Sequence, residues 1–146
     1  MGKHLLLIAG MANFGIALLH VAIPFMGIRS YIYFGTADLA MLESQGSMIP
    51  RLATWFLALV FAAFGLYCLS GAGLIRRLPL SAIALCLIGG IYTLRGLILI
   101  PDILRYLNGI IYPMRQPFFS ASALVIGLCI LIGIWLKTRS QKQMVS

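Results

Sequence analysis

Four long runs of apolar side chains leave this chain little choice of fold. They extend over about Leu5–Met26, Pro50–Ala72, Leu78–Ile100 and Pro117–Leu136. Each meets the roughly 20 residues that an α-helix needs to cross a hydrocarbon core. Each is apolar all round, where a soluble helix would keep a polar face. A transmembrane β-barrel would show alternating segments of about ten residues, and none occur. Inside lipid a segment must satisfy its own backbone hydrogen bonds, so helices follow. The expected fold is an all-α integral membrane protein, a bundle of four transmembrane helices.

Composition supports this. A soluble domain is about 45–50% apolar and about 25% charged. Here 62% of residues are hydrophobic and 10% are charged. Four spans of about 22 residues consume about 88 positions. That leaves short loops and a single membrane domain over residues 1–146. Lys3 before the first run is reminiscent of a secretory signal. That run exceeds the 7–15 residues of a typical signal core, and no convincing small-x-small cleavage site follows. An uncleaved first span is expected.

The net charge is +8. The bases are dispersed between the apolar runs rather than gathered in one stripe, which argues against nucleic acid as a partner. Their distribution reads as topology. Four crossings put the N-terminus, the second loop and the C-terminus on one side. That side carries Lys3, Arg76, Arg77, Lys137, Arg139 and Lys142, six bases and no acid. The other carries Arg29, Arg51, Arg105 and Arg115, with Asp38, Glu43 and Asp102. The bias favours cytoplasmic termini.

The first loop, about Gly27 to Ile49, is the longest. Tyr31 and Tyr33 fit an interfacial aromatic belt. Thr36 suits a helix N-cap, Asp38 a first turn and Gly46 a helix end. A short helix lying on the outer surface is expected there. Small residues recur every four positions at Thr54, Ala58 and Ala62, at Ala82, Cys86 and Gly90, and at Ala123 and Gly127. Such stripes let helices approach closely in lipid. Gly89-Gly90 is a candidate hinge, with close packing the favoured reading. Cys68, Cys86 and Cys129 form no CxxC pair and have no ligand-like spacing to His, so neither a disulfide framework nor a metal site is expected. No motif calls for a cofactor.

Ionisable groups within membrane spans are costly and are functional candidates by default. His20 lies six residues before Met26, and Arg95 six before Pro101. At about 1.5 Å per residue, both sit roughly 9 Å inside the outer boundary. Tyr92 is one turn below Arg95. Asn13 is seven residues from His20, on nearly the same face. Trp55 falls in the same layer of the second span. The expected ligand-binding set is therefore Arg95, His20, Tyr92, Asn13 and Trp55, in an outward-facing polar pocket. Other readings of Arg95 are snorkelling to headgroups and an internal pair with Asp102. His20 also suits a purely structural interhelix hydrogen bond.

The outer side holds five bases, counting Arg95, against three acids. This surplus suits an anionic small molecule or lipid headgroup, which arginine binds bidentately. A binding, sensing or accessory role follows. The expected partners are membrane lipids, an anionic ligand and further copies of the chain. An oligomeric transporter or channel subunit is the alternative, although the spans lack the embedded acids of a proton-coupled pump. A membrane enzyme using His20 with Asp38 or Glu43 is a second alternative. Enzymatic activity is disfavoured because HExxH, nucleophile-elbow and P-loop motifs are absent.

Three stretches add a resemblance: Tyr31-Ile-Tyr-Phe-Gly35, Gly65 through Leu80, and Tyr92-Thr-Leu-Arg-Gly-Leu97. Together the chain resembles a group of small, uncharacterised four-span bacterial inner-membrane proteins. The resemblance implies a bacterial inner-membrane location and four spans, and it carries no activity.

Overall fold

The computed structural model describes residues 1–109 and 115–143, with side chains to residue 140. Every regular element among them is helical: α1 Gly2–Met26, α2 Ile28–Tyr33, α3 Ala37–Ser44, α4 Ile49–Ala72, α5 Ser81–Leu97, α6 Leu99–Leu107 and α7 Arg115–Gln143. Four helical stretches are long and apolar enough to cross a membrane: Gly2–Met26, Ile49–Ala72, Ser81–Leu107 and Arg115–Ser140. Only 22–33% of the most apolar window in each is buried within the chain. The remaining apolar surface faces outward.

Several expected boundaries shift, and proline bears on two of them. The third run was expected to close at Pro101. Instead α5 ends at Leu97, Ile98 forms a turn, and α6 carries the helix to Leu107. Pro101 sits in the first turn of α6, where backbone N–H groups have no intrahelical partner, so its missing donor costs little. Pro117 occupies the same position in α7, which begins at Arg115. That helix also runs beyond the apolar segment to Gln143, so Lys137 and Arg139 project from helix. The side chain of Lys142 lies outside the described set.

The chain divides into two compact units, Met1–Gly10 with Leu66–Ser146, and Met11–Gly65. In the first unit, α5 packs against α7. The approach is close at Gly96, where an added Cβ would lie 2.5 Å from the Leu124 Cα. The start of α1 joins this unit, with Leu6 fully buried against Gly133. The buried face of α5 is Leu85, Ile88, Gly89, Tyr92 and Gly96. The expected stripe Ala82, Cys86 and Gly90 is displaced from this contact, and Ala82 and Cys86 are exposed. Gly89 meets Leu131 on α7, whereas Gly90 has open space. Ala123 and Gly127 of α7 are buried as expected.

The second unit contains the long first loop. It holds two helices, α2 and α3, packed on each other. Gly46, with φ of 77°, ends α3 as expected. The Ser47 N–H then closes on the Leu42 carbonyl at 3.1 Å, the backbone bond of a left-handed helix cap. Thr36 precedes α3, but its hydroxyl donates back to the Tyr31 carbonyl at 2.9 Å instead of capping the helix. Tyr31 is only 2% exposed, in a cluster with Ile23 and Ala40, while Tyr33 is exposed. Of the two tyrosines assigned to an interfacial belt, Tyr33 has the exposure for it and Tyr31 belongs to the core.

Candidate functional site

The five residues singled out from the sequence divide between the units. Arg95 and Tyr92 belong to the first, and His20, Asn13 and Trp55 to the second.

In the first unit, Arg95 lies in the last turn of α5. Its guanidinium donates to the Ser120 hydroxyl at 3.0 Å, and that hydroxyl donates to Asp102 Oδ2 at 2.8 Å. Ser120 and Asp102 are buried, while Arg95 is exposed. The chain of bonds has one sense. A hydroxyl has a single proton to give, so it accepts from the arginine and donates to the carboxylate. Charge at both ends strengthens the two bonds. Helix geometry explains the arrangement. Arg95 and Asp102 are seven residues apart, and the turn at Ile98 brings α6 onto α7 beside Ser120. The direct Arg95–Asp102 pair considered from sequence is replaced by a bridge through α7. One of the five Arg95 donors is used, and no other partner exists for it among the described residues. Tyr92, one turn earlier, is buried.

In the second unit, His20 is half-buried, with its ring 4.9 Å from that of Phe61. Nδ1 lies 2.8 Å from the Ile16 carbonyl. A carbonyl only accepts, so Nδ1 carries the proton, which in the neutral ring leaves the Nε2 lone pair free to accept. Pro24 stands four residues on, inside α1, and cannot donate to the His20 carbonyl as a normal helical residue would. Asn13 is fully buried. Trp55 is 37% exposed, its ring 6.2 Å from Phe25. Of the two carboxylates considered as partners for His20, Asp38 and Glu43, the second is engaged by Arg51. The Arg51 Nε and a terminal nitrogen both donate to Glu43 Oε1, at 2.8 and 2.6 Å. Glu43 Oε2 and the Tyr31 hydroxyl are buried and have no partner among the described residues.

Sequence reasoning passed over Ser120, one more serine at the start of an apolar run. Its signal was layer matching. Arg95 and Asp102 needed a polar group from the facing helix, and Ser120 and Ser122 were the available donors. Among the described residues no group of three or more His, Cys, Asp or Glu side chains converges as a metal site would require.

The fold and these groups define a class, a helical chain with four helices fit to cross a membrane and polar groups near their ends. No family model matches the sequence, and no curated protein or solved structure is significantly similar to it.

Proposed function

We propose that this is a multi-pass membrane protein that binds an anionic small molecule or lipid headgroup on its outer side through Arg95. The observation that carries the reading is the Arg95–Ser120–Asp102 chain. A buried serine and carboxylate hold one donor of an exposed guanidinium, which fixes its direction and leaves the remaining donors for a ligand. Such preorganisation lowers the entropy lost on binding. A planar fork matches a carboxylate or phosphate. The surplus of bases over acids on that side adds to the support.

The proposed topology places both termini in the cytoplasm, supported by six bases against four. In this arrangement α3 lies at the outer surface. A bacterial inner membrane is the location implied by the sequence resemblance. The role is binding, sensing or accessory to other membrane components.

Arg95→Leu tests the reading. In purified protein it should reduce co-purifying anionic lipid, or affinity for small carboxylates and phosphate, about tenfold or more. Arg95→Lys should lose part of it, because an ammonium keeps the charge without the fork. Wild-type lipid content together with wild-type anion affinity in Arg95→Leu would refute the assignment.

A further inference from the structure

A second polar site lies elsewhere in the first unit. The last turn of α4, the Arg76-Arg77 connection, the start of α5 and the end of α7 line an open cavity of about 180 Å³. Its polar lining includes Arg77, Lys137, Ser81 and Thr138, and its apolar lining includes Leu85 and Ile134. No acidic side chain among the described residues lines it. Two cations therefore share a concave space without a carboxylate in its lining to balance them, which favours an anion there.

The local structure shows which of these groups are free. Lys137 donates one proton to the Gly71 carbonyl, near the C-terminal end of α4, where a cation also complements the helix dipole. An ammonium has three donors, so two remain. The Thr138 hydroxyl is committed to the Ile134 carbonyl at 3.0 Å. Arg77 is exposed, and Ser81 half-buried, and neither has a partner among the described residues. Ser70 has its one proton committed. Its hydroxyl donates to the Arg76 carbonyl and accepts from the Leu78 N–H at 2.8 Å. That pair of bonds pins the connection carrying Arg77, so the guanidinium stands on a fixed backbone.

We propose that this cavity binds a phosphate group, with Arg77 and Lys137 as the charged donors and Ser81 as a neutral one. The volume suits a headgroup. It equals the liquid share of about six waters at roughly 30 Å³ each, and falls below the roughly 300–1,000 Å³ of a drug-sized pocket. Phosphate accepts from a guanidinium fork and an ammonium together. Basic pockets between membrane helices on the cytoplasmic side are common binding places for anionic lipid headgroups. Trp135, exposed and with the Arg139 guanidinium 5.3 Å from its ring centre, marks this end of α7 as interfacial in character.

The full-length protein, purified in detergent, would be titrated with phosphatidylglycerol by native mass spectrometry and with inorganic phosphate by calorimetry. Arg77→Gln removes an exposed side chain that has no hydrogen bond among the described residues, so the fold should survive. It should weaken binding about tenfold. Arg76→Gln is the control, because it removes the same charge next door without lining the cavity. A selective loss of phosphatidylglycerol, with no phosphate binding in any variant, supports a lipid-borne phosphate. Loss of both ligands in Arg77→Gln alone supports the phosphate group itself as the determinant. Equal effects of Arg76→Gln and Arg77→Gln, no effect of Arg77→Gln, or no binding by the wild type would each overturn the proposal. Combining Arg77→Gln with Arg95→Leu should lose more binding than either substitution alone, which separates this site from the outward one.

Discussion

Single side chains in this protein carry tasks that their type alone does not announce. Ser120 joins a buried carboxylate to an exposed guanidinium. Ser120→Ala removes both bonds and takes one partner from Asp102 and one from Arg95. It should destabilise the protein by about 1–3 kcal/mol, read as a lower melting temperature in detergent. Asp102→Asn should cost less, because the amide oxygen still accepts from the serine. Tyr31 presents the opposite case. Its hydroxyl is buried without a partner among the described residues, so the ring stabilises and the oxygen does not. Tyr31→Phe should keep or raise stability, by up to about 1 kcal/mol. A large loss on melting would show that the hydroxyl has a partner after all.

At the scale of helices, the contact between α5 and α7 is set by which small residues face inward. Gly96 and Gly90 both lie within α5, yet their surroundings differ. A Cβ at Gly96 would meet the Leu124 backbone, which cannot move aside without shifting α7. Gly96→Ala should cost about 1–3 kcal/mol. Gly90 has nothing within reach. Gly90→Ala should instead gain up to about 1 kcal/mol from helix propensity. Thermal melts of the two variants side by side check this, and equal losses would contradict the packing described. The same comparison bears on Gly89-Gly90, where Gly89 packs and Gly90 does not, a contact face rather than a paired weak point. Proline positions matter at this scale too. Pro101 and Pro117 fall in first turns, so each is compatible with a helix that a sequence reading would end or start elsewhere.

For the whole molecule, the dominant fact is apolar surface turned outward. Leu18, Phe25, Phe56, Leu59, Leu87 and Leu94 are among the large side chains exposed along the long helices. Soluble monomers rarely expose contiguous apolar patches of more than a few hundred Å². If lipid covers this surface, the expressed protein should stay in the membrane pellet after alkaline carbonate washing and enter solution only with detergent. Release into the carbonate supernatant would sink the multi-pass reading. Reporters fused to the two ends should then report the same side of the membrane.

What the sequence determined alone was the kind of element and its number. Apolar runs of this length have one inexpensive backbone conformation in an apolar surrounding, so four long helices could be read from Leu5 to Leu136 without coordinates. Gly46 as a helix end was legible for a similar reason, since a positive φ favours glycine. Tertiary structure decided everything that depends on which face meets which. Among residues apolar all round, periodicity does not say whether Gly89 or Gly90 points at α7, and the inward stripe fell one position away from the expected one. Nor could spacing show that Arg95 reaches Asp102 through Ser120, because the bridging group comes from a helix 25 residues on. The cavity at Arg77 and Lys137 was invisible for the same reason. Its two cations are 60 positions apart in sequence, and only the packing of α4, α5 and α7 brings them to one space.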